Sequence, residues 1–384
     1  MYKKIPGLFI LAIYFLSCNS PAPSPKQSTP ILNETGIEPA SPKSVGMDSL
    51  MLNNMTRAIV NTEYPNIHSV LIVKNGKLVY ENYFPGEDEI RGTRLGRIQH
   101  GIDSLHDLRS VTKSVLSACI GIAIAQGKIK SEDQKIWEFF PEFNEFKTGK
   151  KADITLNHLL TMTSGLDWNE NIPYTNPANS EIQMDESDDP VKYVLSRKLV
   201  TTPGETWNYS GGSTEVLAAT IKKATGLDVE QFAKENLFKP LGIEHYYWIK
   251  FDSTIASKNI PAAASGLRLR SRDMLKFGLL YMNNGSWNGK QVLPEAWVNN
   301  SLKWQVSRGD STQGYGYKFW IFKEKIGDKQ LELVTAVGNG DQRIFIDRQN
   351  KLLVIITAGN YNKWDIKKNA TALVLNFIYP ALLK

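Results

Sequence analysis

The chain has 384 residues, of which 42% are hydrophobic and 22% charged; this composition is typical of globular proteins and excludes collagen, coiled-coil and wholly disordered chains. Outside the N-terminal leader, no stretch approaches the roughly 18 consecutive apolar residues of a transmembrane helix. The 45 basic and 39 acidic residues give a net charge of +6, but both signs are scattered along the chain, which argues against a nucleic-acid partner.

The first 17 residues have the pattern of a secretory signal peptide. Lys3 and Lys4 precede the apolar stretch 8–16, and the small residue Ser17 follows. Residues 15–18, Phe-Leu-Ser-Cys, resemble a bacterial lipobox, in which the cysteine is diacylated. We therefore expect lipidation at Cys18 and an exported protein anchored in the bacterial cell envelope, in the periplasm or at the outer surface. The alternative is a cleaved signal peptide followed by an incidental cysteine.

Residues 18–44 are rich in proline, serine, asparagine and threonine, which predicts a flexible tether. The folded domain is then expected over residues 45–384. Its first predicted elements are a helix at 46–61 and two strands, 69–73 and 78–83, that form a hairpin around Asn75-Gly76.

The middle of the chain, 110–250, has mostly helical patterns interrupted by polar loops. Strands are predicted at 331–337, 342–347 and 352–358, and a last helix at 370–383. Strands at both ends with helices between them predict an α+β fold: an antiparallel sheet built from both termini and flanked by helices, with an inserted, mainly helical lobe. We expect the sheet lobe over about 45–109 and 255–384 and the helical lobe over about 110–254.

A Ser-x-x-Lys motif stands at the start of an apolar helical pattern, with Ser110 as its serine and Lys113 as its lysine. Three residues are nearly one helical turn, so the amine can lie beside the hydroxyl. Free N–H groups at a helix start stabilise an oxyanion, and burial is expected to lower the pKa of Lys113 toward neutrality. The alternatives are a helix cap for Ser110 and a solvated helix face for Lys113.

Two further segments could complete a catalytic site. Tyr209 lies in the turn-rich loop 203–213, from which its phenol could reach the start of another helix and exchange protons there. Residues 337–342 join two predicted strands through glycines, which let a backbone N–H approach a ligand.

At these residues the chain resembles the serine β-lactamase-like hydrolases, a group that includes class C β-lactamases, D,D-peptidases, family VIII esterases and nylon-oligomer hydrolases. The resemblance covers about residues 45–380 and includes stretches 154–166, 266–274 and 285–289. It implies that Ser110 is the acylated nucleophile, Lys113 its partner and Tyr209 the tyrosine of the second motif.

The chain departs from this family at two places. The second motif is commonly Tyr-x-Asn, but Gly211 stands in its third place. The third motif is commonly Lys or His, any residue, then Gly, but the chain has Asn339-Gly340-Asp341. The missing cation argues against a substrate carboxylate, and Asp341 must point away from the oxyanion or reduce activity. The substrate-binding candidates are Gly211 and residues 339–342, with a second oxyanion N–H expected on the strand opened by Asp341-Gln342.

The resulting hypothesis is a serine hydrolase that acts on an ester, amide or small peptide through an acyl-enzyme. The alternative is a catalytically weak, penicillin-binding-like lipoprotein that binds the cell wall. Trp168, Tyr174 and Trp207 are candidates for the wall of an acyl pocket. No cofactor is expected, and the spacing of the five histidines predicts no metal site. Cys119 is expected to be a buried free thiol.

Overall fold

The computed structural model describes residues 36–252 and 259–382. Its strands are β1 (Ile67–Lys74), β2 (Lys77–Tyr83), β3 (Pro85–Ile90), β4 (Thr93–Gln99), β5 (Leu105–Asp107), β6 (Tyr246–Trp248), β7 (Leu267–Arg270), β8 (Ser286–Trp287), β9 (Lys290–Gln291), β10 (Val306–Ser307), β11 (Gln313–Tyr315), β12 (Trp320–Ile326), β13 (Lys329–Gly338), β14 (Gln342–Asp347) and β15 (Leu352–Ala358).

The α-helices are α1 (Ser49–Val60), α2 (Thr112–Ala125), α3 (Leu156–Leu160), α4 (Ser180–Glu186), α5 (Pro190–Ser196), α6 (Gly211–Thr225), α7 (Val229–Ala233), α8 (Lys239–Leu241), α9 (Ser271–Met282), α10 (Glu295–Leu302), α11 (Ala370–Leu373) and α12 (Tyr379–Leu382). Short 3-10 helices lie at Pro42–Val45, Arg109–Val111, Ile136–Glu138, Pro141–Phe146 and Gly149–Asp153, and π-helical turns at Lys234–Phe238 and Val374–Ile378.

Strands from both ends of the chain share one antiparallel sheet, as predicted. Within the described residues it has eight strands in the order β10-β11-β12-β13-β14-β15-β1-β2. The two ends meet where β15 pairs with β1, for example at Val70 and Ile356. At the β1–β2 hairpin, Asn75 (φ 52°) and Gly76 (φ 75°) are both left-handed, which is the type I′ geometry that matches strand twist. The predicted α+β architecture is confirmed.

Each face of the sheet is covered by helices. On β1, Val70 and Ile72 join one apolar core with α1 and the C-terminal helices, whereas Leu71 and Val73 join the other core with α2 and α9. This division follows from the two-residue period of a strand. The larger core connects the sheet to the helical lobe, and the 3-10 helix Arg109–Val111 and α2 lie between them.

One predicted boundary, the start of the folded domain, differs from the structure, and the end of the signal peptide lies outside the described residues. Residues from 36 onward already pack on the domain, because Pro39 pairs with Leu78 and Ile37 is buried; the packed region therefore begins earlier than residue 45. The predicted signal peptide, Cys18 and most of the tether lie outside the described residues. Among the described helices, none is long and apolar enough to span a membrane. Cys119 is a buried free thiol, as expected.

Candidate active site

The Ser110 hydroxyl and the Lys113 amine are in direct contact at the start of α2. Ser110 lies in the 3-10 helix Arg109–Val111 that runs into α2. Lys113 Nζ donates to Ser110 Oγ and to the carbonyl oxygen of Ala264, at 3.0 Å in each case. Lys113 is only 1% exposed, so the alternative of a solvated helix face is wrong.

The backbone just before the serine is held in an unusual conformation. Arg109 has φ of 49°, a region that non-glycine residues occupy only when their surroundings hold them there. Its guanidinium pairs with Glu89 at 2.7 Å and lies 4.9 Å from the centre of the Tyr361 ring. These contacts fix the turn that presents Ser110 at the mouth of the site.

Tyr209 approaches the same two side chains from the loop that precedes α6. Ser210 caps that helix by accepting from the N–H of Ser213, so Tyr209 ends the loop at a fixed place. The Tyr209 side chain is half-buried. It lies close enough to Lys113 for each group to shift the pKa of the other, and Lys113 Nζ lies 5.0 Å from the ring centre. The serine, lysine and tyrosine singled out in the sequence therefore converge.

The pKa of Lys113 differs from the sequence-based expectation. Burial alone would lower the pKa of the ammonium, but the acidic groups of Tyr209, Glu181 and Glu170 outweigh burial and raise it. Burial also raises the pKa of the Tyr209 phenol, although Lys113 opposes this shift. The resting pair is therefore a protonated amine beside a neutral phenol. The prediction of a lowered lysine pKa considered burial but omitted the neighbouring acidic groups.

A buried pair of glutamates fills the space beside Gly211. Glu170 accepts from the N–H of Gly211 at 2.7 Å, from Trp168 Nε1 at 2.8 Å and from the Tyr174 hydroxyl at 2.9 Å. Burial, and next the charge of Glu181, raise the pKa of Glu170 well above its usual range. A Cβ added to Gly211 would come within 1.9 Å of Glu181 Oε2. A side chain at this position would therefore have to displace the buried Glu181 carboxylate.

Ser110 opens into a cavity of about 500 Å³ with an aromatic wall. Trp207 and Tyr174 line it, as proposed from the sequence, but Trp168 does not: it is buried behind the site and donates to Glu170. The guanidinium carbon of Arg308 lies 3.9 Å from the ring centre of Trp320. The lining residues are Ser110, Glu170, Asn171, Ile172, Pro173, Tyr174, Trp207, Tyr209, Arg308, Trp320, Val337, Asn339 and Trp364.

A second, smaller and more polar cavity of about 250 Å³ adjoins the first at the serine. It shares Ser110, Tyr174 and Asn339 with the first cavity. Apart from Ile182, its remaining lining residues are charged or polar: Arg91, Arg109, Glu181, Asp185, Ser265 and Asn362. A substrate with its reacting carbonyl at Ser110 would therefore have an aromatic space and a charged space within reach.

Of the expected third-motif residues, Asn339 faces the pocket and its neighbours do not. The Asp341 carboxylate pairs with Arg343 at 3.1 Å, so it points away, the first of the two alternatives considered. Gln342 is buried and donates to the carbonyl of Gly340 at 3.2 Å. The pocket wall is formed by Val337 and Asn339 at the end of β13, not by the start of β14, where the second oxyanion donor was expected.

Sequence reasoning missed Glu170, Glu181, Arg308 and Trp320. Both glutamates lie in the polar segment 167–189. No sequence spacing there distinguishes them from solvent-exposed acidic residues. The glycine in place of the usual asparagine at Gly211 was the one available signal that another side chain fills this space. Groups able to hold a metal also meet in the fold, but elsewhere: His68, Asp88, His100 and His106 lie together, and none of them lines either cavity.

Several known proteins resemble this chain in sequence or in fold. The 6-aminohexanoate-dimer hydrolase of Paenarthrobacter ureafaciens is 22% identical over 281 residues, which are 66% of this chain and 66% of that protein. Among solved structures, the octameric penicillin-binding protein homologue from Pyrococcus abyssi matches with a TM-score of 0.63 and 19% identity, covering 85% of this chain and 77% of that one. A family VIII carboxylesterase matches with a TM-score of 0.64 and 14% identity, covering 86% and 96%.

The structural matches show a shared fold, and the matches to the first three curated relatives span 54% to 66% of those proteins' lengths. The family itself is shown by a model described as Beta-lactamase, which matches residues 68–375. That range contains Ser110, Lys113 and Tyr209. The chain belongs to the Beta-lactamase family.

Proposed function

We propose that the protein is a serine hydrolase that forms an acyl-enzyme on Ser110 and hydrolyses an ester, amide or small peptide bond. The observation that carries this proposal is the contact of Lys113 Nζ with Ser110 Oγ at 3.0 Å. Tyr209 lines the same cavity as Ser110, and its ring centre lies 5.0 Å from Lys113 Nζ. A nucleophile beside two proton-exchanging groups is the arrangement that covalent catalysis requires.

Lys113 and Tyr209 act together as the general base and general acid. The pair must first lose one proton, because both groups are protonated at rest. The deprotonated pair then takes the Ser110 proton while Oγ attacks the substrate carbonyl. The bond from carbon to the leaving oxygen or nitrogen breaks, and the leaving group takes that proton. Water attacks the acyl-enzyme with its proton passing to the same pair, and Ser110 regains a proton as the acid is released.

The oxyanion is expected to lie between the backbone N–H of Ser110 and that of Asn339. Ser110 stands at the start of a helix, where N–H groups are free and the helix dipole favours negative charge. Asn339 borders both cavities next to the serine. Two such donors aimed at developing charge are the main source of rate acceleration in acyl transfer.

Arg308 supports a substrate that carries a carboxylate in the aromatic cavity. Within the described residues, its Nε and one terminal nitrogen have no hydrogen-bond partner although they are buried. The guanidinium carbon lies 3.9 Å from the ring centre of Trp320 and 4.7 Å from that of Trp207, and Arg308 lines the cavity. It therefore supplies a positive charge at the cavity wall, where a substrate carboxylate would be attracted. Arg308 lies in a different segment from the third motif, Asn339-Gly340-Asp341, which lacks the usual cation.

Ser110→Ala tests the nucleophile. We expect the wild-type protein to react with a fluorophosphonate probe and to hydrolyse short-chain p-nitrophenyl esters, and the variant to do neither. Labelling and turnover that persist in the variant would refute the assignment. A panel of D-amino-acid amides, a chromogenic cephalosporin, and one ester with and without a free carboxylate then ranks the substrate classes, and Arg308 predicts a preference for the free carboxylate.

The second candidate is a weak, cell-wall-binding protein that keeps the pocket. It is favoured by the resting protonation of Lys113 and Tyr209, which slows proton abstraction at neutral pH. Burst kinetics separate the two functions. A stoichiometric acyl burst without continued product release indicates a binder, and steady release indicates an enzyme.

A further inference from the structure

Three of the five histidines meet in the interior, away from the catalytic pocket. His68 is on β1, His106 is on β5 and His100 directly follows β4, and Asp88 joins them from β3. Their exposed fractions are 0%, 0%, 3% and 7%. One ligand atom from each side chain lies within 4.8 Å of the ligand atoms of the other three. Four separate strands therefore deliver four potential ligands to one point.

The hydrogen bonds of the rings leave nitrogen lone pairs free. His68 Nε2 donates to the carbonyl oxygen of Glu87 at 3.0 Å, which leaves Nδ1 as the acceptor. Within the described residues, His68 Nδ1, His100 Nε2 and both nitrogens of His106 have no partner. Buried polar atoms almost always have one, and a backbone carbonyl on the far nitrogen is the usual support of a metal-binding histidine.

The fourth group of the cluster is a carboxylate, the kind of oxygen ligand that completes a histidine site. Asp88 Oδ1 accepts from the N–H of Glu89 at 2.9 Å, which helps to hold the side chain in place beside the three rings.

Two glycines pack closely against the His68 ring. A Cβ on Gly86 would come within 2.5 Å of the ring, and one on Gly359 within 2.8 Å. The His68 and His100 rings are stacked with centres 3.8 Å apart, and the centre of His106 lies 5.4 and 5.0 Å from theirs. The ligand atoms lie within 4.8 Å of one another, and binding one ion would require the stacked rings to tilt so that both lone pairs point at it.

We propose that His68, Asp88, His100 and His106 form a Zn²⁺ site that ties β1, β3, β4 and β5 together. Three imidazole nitrogens and one carboxylate oxygen are a donor set that tetrahedral zinc accepts, with bonds of about 2.0–2.2 Å, so the ligand atoms would move inward by roughly 1 Å on binding. None of the four residues lines the cavities at Ser110. The ion would therefore be structural, and it would anchor the separate β3–β4 sheet to the strand that leads to Ser110.

The test measures metal binding directly. Full-length protein is stripped with EDTA, loaded with Zn²⁺, dialysed, and analysed by inductively coupled plasma mass spectrometry and by its melting temperature. Three variants are compared: Asp88→Asn, which is nearly isosteric, His106→Gln, and His245→Gln as a matched control at an exposed histidine. Co²⁺ loading of the wild type gives an independent visible spectrum of the coordination geometry.

We expect wild type and His245→Gln to retain one Zn²⁺ per chain, to melt at a higher temperature with the metal, and to give the intense visible bands of tetrahedral Co²⁺. Asp88→Asn and His106→Gln should bind Zn²⁺ at least about tenfold more weakly. The proposal is overturned if wild type retains no Zn²⁺, if both cluster variants retain as much as His245→Gln, or if Co²⁺ gives only weak octahedral bands. Should His106→Gln fail to fold, Asp88→Asn and the Co²⁺ spectrum decide.

Discussion

At the scale of single residues, the catalytic pocket depends on groups that share protons and space. Tyr209, Glu181 and Glu170 raise the pKa of Lys113. Burial raises the pKa of Tyr209, and Lys113 opposes that rise. A side chain at Gly211 would have to displace the Glu181 carboxylate. Each of these interactions can be tested by measuring variants with one or two substitutions.

The first prediction concerns pH. In the proposed mechanism the active base is the deprotonated Lys113–Tyr209 pair. Both pKa values are raised, so the population of this form grows as pH rises. We expect kcat/KM for a neutral ester to increase steadily from about pH 6 to about pH 10. Tyr209→Phe should lower kcat/KM by about 10²–10⁴-fold and flatten its rise. A wild-type rate that falls with pH, or is flat, contradicts this assignment.

The second prediction concerns the glycine of the second motif. Gly211→Asn restores the residue common in the family, but its side chain meets Glu181, which is itself buried. Overpacking of this kind costs about 1–3 kcal/mol, so the melting temperature and kcat/KM should both fall. Removing the obstacle in the double variant with Glu181→Ala should recover stability. Gly101→Asn, at a glycine with open space around it, is the control, and equal melting temperatures for all variants would exclude the clash.

At the scale of elements, α2 is the helix around which the site is arranged. Most of its residues are buried, including polar ones such as Lys113, Ser114 and Ser117, because the sheet and the helical lobe both pack on it. A surface helix shows one apolar stripe, whereas α2 is enclosed on all sides. Its position is therefore set by neighbours such as α10.

The third prediction tests that contact. Gly121 of α2 faces Trp297 of α10, and an added Cβ would lie 2.5 Å from the indole. Helix propensity alone would favour Gly121→Ala by about 1 kcal/mol, but the rigid ring stands in the way, so we expect the melting temperature to fall. Gly101→Ala, which adds the same methyl group in open space, should leave it unchanged. A melting temperature that rises in Gly121→Ala would show that the two helices separate easily.

At the scale of the whole molecule, two apolar cores on opposite faces of one sheet hold the N- and C-terminal segments together. The chain from residue 36 already lies against β2, where the N–H of Ala40 donates to the carbonyl of Leu78 at 3.0 Å. A lipid at Cys18 would leave only a short segment between the membrane and this contact. With such an anchor, the site would be held near a bilayer surface.

The fourth prediction follows from that arrangement. In a bacterial host, the wild-type chain should fractionate with membranes and partition into detergent, since a diacylated cysteine supplies two hydrophobic chains. Cys18→Ser should remain in the aqueous phase or stay unprocessed, whereas Cys119→Ser should behave like wild type. Aqueous partitioning of the wild-type protein would refute lipidation at Cys18.

Local sequence patterns determined the main strands of this protein and its proposed nucleophile. Short runs rich in apolar and β-branched residues, bounded by turn residues, placed β1, β2 and β13 to β15. A three-residue spacing placed Lys113 beside Ser110, because a helix turns in 3.6 residues. Only the tertiary structure brought Glu181 into the space beside Gly211, Arg308 against two tryptophans, and three histidines to Asp88. These contacts join residues far apart along the chain, and no local period records which distant segments will pack together.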